Sequence, residues 1–410
     1  MGARYFDYMA TNPLRPEVLE AMMPFFKERY GNPLSLYEMG QSAKSALEEA
    51  RWKVAQLVGA RPQEMIFTSS GAEANNFALK GLASAHTKKG KHIIVSRMEH
   101  HSILNPARAL EKEGFTVTYL PVDKHGLVDP GALEKAIMSE TSLVSIVHAS
   151  PEVGSIEPIK ELAAIAKKNG ALFHTDAVAS AGYLQIDVDT LGIDAMSISA
   201  HEFYGPKGAG ALYLRGGTRI IPLIYGGIQE NGRRAGTENI PAIVGMGKAA
   251  ELTKTELPGR KRKLTEMRDR LIKGVLEKVE NVYLTGVPPK FGAPEPGADP
   301  RLPGLASFCV EFIEGEAMLL MLAAKGIYAA SGSACSSKAL KASPVLLSMG
   351  VSAQLAQGSV VFSMGMENTI EDIEYTLGEF PGVVNRLREI SPYAGGWGGI
   401  KETDPCIPKN

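Results

Sequence analysis

The chain has 410 residues, is 44% hydrophobic and 22% charged, and sets 44 Lys and Arg against 45 Asp and Glu. Balanced charge, with no basic run of five or more residues, speaks against nucleic acid or an anionic membrane surface as a partner. Three cysteines, Cys309, Cys335 and Cys406, are too few for a disulfide framework at this length, so any that matters does so as a thiol.

The opening stretch, MGARYFDYMATNPLRP, carries no apolar signal core, and no apolar run reaches membrane-spanning length; the expectation is a cytoplasmic protein. SAKSALEEARWKVAQLV sets Leu47, Ala50, Val54 and Leu57 on one helical face. EMIFTS, KHIIVS, TVTYLPV, SLVSIVH, ALFHTD and AMSIS come next as short apolar runs bounded by polar turns. Helical stretches lie between several of them, such as PIKELAAIAKKNG with Gly170 as its stop. Alternating strands and helices predict an α/β domain with a mostly parallel sheet covered on both faces. ELPGRKRKLTEMRDRLIKGVLEKVE predicts a long amphipathic helix leading to a second domain, and residues 286–304, rich in Pro and Gly, a loop. LASFCVEF and SVVFSM read as strands, and GEAMLLMLAAKG and Ile370–Glu389 as helices, which makes a small α+β domain. The expected division is 16–254 for the large domain, 1–15 with 255–390 for the small one carrying the Cys335 loop, and 391–410 for a Gly-rich tail.

In open α/β sheets ligands gather at the carboxyl ends of the strands. FTSSGAEANN comes after one strand with a turn suited to phosphate, EHHSILNP after another with His100 and His101, HTDAVAS after a third with Asp176, and SISAHE after a fourth with Ser199 and His201. With these motifs, and with YGNPLSLYEMG, GGIQENGRRAGTENIPAIVG and SGSACSS, the chain resembles the cysteine desulfurases of the class V aminotransferase group, pyridoxal-phosphate enzymes of the IscS/NifS type. The resemblance covers nearly the whole chain except the tail.

It implies the pyridoxal-phosphate type I fold and a role for each motif. Asp176 would pair with the pyridine nitrogen and His100 would stack on the ring. Ser199, His201 and Thr237, the last reaching in from a second subunit, would hold the phosphate. Cys335, on a loop rich in Gly and Ser, would attack the substrate sulfur and carry it as a persulfide.

The pattern breaks at five places. Glu202 stands where SAHK of the family has the lysine that forms the cofactor imine, and Lys207 belongs to a loop the family has in addition. Ala72 replaces a phosphate-binding Thr. Ser150-Pro151 replaces an Asn pair, and Pro151 has no N–H to donate. Ala179 replaces a Gln that contacts the ring oxygen, and Val361 replaces the Arg that binds the substrate carboxylate. Lost contacts of this kind are each worth roughly 1–3 kcal/mol, so the expectation is weak or absent pyridoxal-phosphate binding.

Cys335 remains. An exposed thiolate carries sulfur or ligates iron, and some archaeal-type members similarly lack the lysine and arginine, keep the cysteine and pair with an iron–sulfur scaffold protein. The reading is therefore a homodimeric sulfur-transfer protein acting through Cys335, as persulfide carrier or iron ligand. Its partner would be an iron–sulfur scaffold or sulfur acceptor, with a cluster shared between them. The alternatives are an active desulfurase that binds pyridoxal phosphate non-covalently and a non-catalytic dimeric scaffold. Cys406 reads as a bystander and Cys309 as core. His100, Asp176, His201 and Glu202, close together in such a fold, also raise the question of a metal or small cation.

Overall fold

The computed structural model describes residues 3–291, 299–332 and 342–391; Cys335 and Cys406 lie outside the described residues. Twelve strands are described: β1 (Arg4–Tyr5), β2 (Met65–Thr68), β3 (His92–Ser96), β4 (Thr116–Leu120), β5 (Thr141–Ser145), β6 (Leu172–Asp176), β7 (Ala195–Ser199), β8 (Gly210–Leu214), β9 (Val282–Leu284), β10 (Leu305–Val310), β11 (Ile327–Tyr328) and β12 (Ser359–Ser363). Seven of them form one sheet in the order β2-β8-β7-β6-β5-β3-β4. β8 runs antiparallel to both its neighbours, and the other pairs are parallel. The six apolar runs predicted as strands are β2 to β7, and the α/β class rests on them. β8 is an addition: it returns the chain after the Gly-Pro-Lys-Gly loop and fills the gap between β2 and β7.

Helices cover the sheet. Leu47, Ala50, Val54 and Leu57 of the helix Glu38–Val58 are all buried, as their spacing predicts, and the helix ends on Gly59 at φ +71°. Gly170, at φ +68°, stops the helix Ile159–Lys168 in the same left-handed way.

The long helix runs Ile240–Lys278, starting well before the predicted stretch. Asn239 caps the helix (Ala242 N–H to Oδ1, 3.3 Å), and the chain continues unbroken through Pro258, which disfavours a helix interior. Packing overrides the local preference: Ile243, Met246 and Ala250 sit in the core beneath the sheet, while Leu264, Leu271 and Val275 sit in a second core. That second core also takes Phe6, the antiparallel sheet β12-β10-β9, and Phe380 and Val384 of the helix Ile370–Ile390. No helix among the described residues is long and apolar enough to cross a membrane.

Candidate active site

β2, β3, β6 and β7 point the same way, so the segments after their last residues collect at one edge of the sheet. Asp176 ends β6 and is buried. Its Oδ1 accepts the Val178 N–H at 3.0 Å and its Oδ2 accepts the Asn75 amide at 2.6 Å. The same Asn75 nitrogen donates to Ser102 Oγ at 2.8 Å, and Ser102 Oγ lies 2.7 Å from His100 Nδ1. Because His100 Nδ1 also accepts the Ser102 N–H at 3.1 Å, the ring proton belongs on Nε2. Asp176 and His100 are thus fixed by one network. Burial dominates both: it raises the Asp176 carboxyl and lowers the His100 imidazole, while each partly offsets the other's shift.

β7 ends in Ser199, whose buried Oγ has no hydrogen-bond partner. Gly71, opening the helix Gly71–Asn76, comes so close that a Cβ there would meet Val178 Cγ2 at 2.5 Å and Ser199 Cβ at 3.2 Å. The turn Ala200–Phe203 then delivers His201 and Glu202 before Tyr204, at φ +68°, reverses the chain. Glu202 is 3% exposed. Its Oε1 lies 3.4 Å from His201 Nδ1 and its Oε2 has no partner. Burial, then the nearby Asp176 and Asp7, raise its carboxyl well above the usual range, which favours the neutral acid. Burial lifts Asp7 itself to about 6.

Four other sequence-predicted positions, Ala72, Ala179, Pro151 and Val361, offer no polar side-chain atom; Val361 exchanges backbone hydrogen bonds with Ala330 (2.8 and 3.0 Å). Thr237 is exposed and lines a separate cavity of about 140 Å³ with Tyr30 and Asn32. Lys207 is exposed on its loop. Among the described residues no group of three or more His, Cys, Asp or Glu is placed to hold a metal, which corrects the idea of a metal between His100, Asp176, His201 and Glu202.

Cys309 is buried in β10, its thiol pushed up to about 12 by burial and by Glu152. A larger cavity, about 600 Å³, is lined by Arg15, Tyr204, Glu256 and Glu367.

Sequence reading missed Asn75 and Glu99. Glu99 Oε1 accepts the Ser96 hydroxyl (2.6 Å) and the Val147 N–H (2.8 Å), its Oε2 has no partner, and burial lifts it to about 8. The available signal was a carboxylate directly before the His pair.

Residues 4–376 match the family model for aminotransferase class-V. The chain is 51% identical over 393 residues to the cysteine desulfurase IscS of Dictyoglomus turgidum, covering 96% of this chain and 97% of that protein. It is 50% identical over 390 residues to the cysteine desulfurase IscS of Methanosarcina thermophila, covering 95% and 94%. A solved structure of a NifS-like protein superposes with a TM-score of 0.85 at 36% identity, covering 94% of this chain and all of that one. The chain therefore belongs to the class-V aminotransferase family, among its cysteine desulfurase homologues, and has the mostly parallel type I fold of the NifS-like structures.

The family is pyridoxal-phosphate-dependent, and the side chains gathered at this strand edge suit that group in part. Asp176 and His100 suit a pyridine ring, and the unpartnered Ser199 Oγ beside His201 suits a phosphate. No side-chain amine stands among these groups: Glu202 presents a buried acid, and Lys207 is exposed on its loop.

Proposed function

We propose that this chain is a sulfur-transfer protein of the cysteine desulfurase family that acts through Cys335 and binds pyridoxal phosphate weakly or not at all. The observation that carries the reading is Glu202: a buried carboxyl with one oxygen unpartnered, at the position we assign to the imine, in a sequence that keeps the Cys335 segment SGSACSS. In the reaction we assign, a persulfide donor gives its outer sulfur to the Cys335 thiolate and leaves as a thiolate. Cys335 then passes that sulfur to an acceptor thiol or scaffold, or serves there as an iron ligand of a shared cluster.

In this reading Asp176, His100, Ser199 and His201 form the residual cofactor site, completed by Thr237 from a second copy. The chain divides at 16–254 and at 1–15 with 255–390, and it acts as a cytoplasmic homodimer. Exposed Leu36 (92%), Tyr225 (76%) and Ile228 (75%) support a second copy.

The test is sulfur relay from a persulfide donor to an acceptor protein. Cys335→Ala abolishes it and Glu202→Ala leaves it unchanged; equal effects of the two, or none at Cys335, sink the proposal.

The intact network of Asp176, Asn75 and His100 favours a second reading, a desulfurase that holds pyridoxal phosphate non-covalently. That reading requires alanine release from cysteine and a visible absorption band on adding the cofactor. Protein that stays colourless excludes it.

A further inference from the structure

The misfit at the imine position has its own logic. Four buried side-chain atoms around the pocket lack partners: Ser199 Oγ, His201 Nδ1, Asn75 Oδ1 and Glu202 Oε2. Buried polar atoms are rarely left so, and a cluster of them marks a place where a ligand completes the bonding. The carboxyl at the imine position faces acids: Asp176 from β6 and Asp7 from the N-terminal segment raise its pKa, and Tyr5 and Tyr183, whose own hydroxyls it raises, are the other titratable groups around it besides His201. No cation of the described chain answers it. The ligand that fits is therefore cationic where an aldehyde would sit, aromatic and basic at Asp176, and anionic at Ser199 and His201. An aldehyde oxygen can accept only a neutral hydrogen bond from the protonated carboxyl, whereas an ammonium facing the carboxylate gains the stronger, charge-assisted one.

We propose that this pocket selects the amine form of the family's cofactor, pyridoxamine 5′-phosphate, with the Glu202 carboxylate holding the ligand's ammonium. The inference rests on the proposed reading that the ring and phosphate cradle persists without its lysine. It adds that the acid replaces one specificity with another. The Glu202 carboxyl, which burial and the neighbouring acids hold toward its neutral form, gives up a proton when the ammonium arrives.

Binding is measured by titration calorimetry on the full chain with three ligands that differ only at the 4′ carbon: pyridoxamine 5′-phosphate, pyridoxal 5′-phosphate and 4-deoxypyridoxine 5′-phosphate. The amine is expected to bind roughly tenfold or more tighter than either of the others. Buffers of different ionisation enthalpy should report one more proton released by the wild type than by Glu202→Gln. Glu202→Gln should lose most of the preference for the amine, and the wild-type ligand series stands on its own should that variant fold poorly. Equal affinity for the amine and deoxy forms, or tighter binding of the aldehyde, overturns the proposal. Failure of all three to bind also overturns it, and leaves sulfur relay through Cys335 standing. A borohydride-stable adduct of the aldehyde with a lysine overturns both.

Discussion

Two buried charge sites lie on the same sheet and are built in opposite ways. At β2, Arg51 meets Glu230 through two hydrogen bonds of 2.7 Å, and the remaining capacity is used: Arg51 donates to the Met65 carbonyl at 3.0 Å, and Glu230 accepts the Phe67 N–H at 2.9 Å. The chain accepts left-handed backbone at Glu230 and Asn231 (φ 49° and 56°) to put that carboxylate there. At the ends of β6 and β7, Asp176 and Glu202 face each other as acids with no described cation, and polar atoms are left over. The first site is closed and serves the fold. The second leaves hydrogen-bonding capacity unused and costs the fold stability, as the proposed ligand site requires.

The largest effect should come from breaking the closed site. Arg51→Ala or Glu230→Ala strands a buried charge and should lower unfolding free energy by about 3–5 kcal/mol in urea titrations. A loss comparable to a surface substitution would put the two sites on the same footing.

Next comes pH. A carboxyl whose pKa is raised by folding contributes stability that is present below the ordinary carboxylate range and is lost as pH rises through the folded value. Glu99 and Glu157, both lifted to about 8, therefore drain stability between about pH 5 and 8, and Glu202, raised in the same direction, adds to the alkaline loss. His148, lowered to about 4, and His174, lowered to about 3, act the other way, and their share is lost as pH falls below about 6.5. Glu202→Gln should flatten the alkaline side and raise stability at pH 8 by on the order of 1–3 kcal/mol. A steeper alkaline loss in that variant would mean that Glu202 already has a cation.

Ser199→Ala should change stability by less than about 1 kcal/mol, since the hydroxyl has no partner to lose; a larger loss would show a bond there. The smallest effect is chemical. Cys309 should stay unalkylated by iodoacetamide in the folded protein and react only on unfolding, as mass spectrometry of the labelled peptides would show.

Six of the seven strands of the main sheet were legible because each is a compact apolar run closed by polar residues. β8 was not: GALYL comes after a glycine loop and was absorbed into the motif around it. The start of the long helix was not legible either, because GTENIPAIVG was read as part of a motif, whereas the helix already begins at Ile240. At the site, Asp176, Ser199, His201 and His100 were legible because motif residues stand at strand ends. Asn75 was not, because its work is done on Asp176, 101 positions away, and no local spacing announces such a contact. Cys335 lies outside the described residues, so its part is carried by sequence alone.

β1 pairs with β11, Arg4 beside Ile327, and Phe6 is buried in the second core. The earliest residues of the chain therefore belong to the core completed last. During synthesis the sheet around β6 and β7 has all its strands long before β10 and β12 are made, while the N-terminal segment waits for its partners. Trimming the chain before Tyr8 should thus weaken the far end of the molecule and leave the neighbourhood of Asp176 comparatively intact.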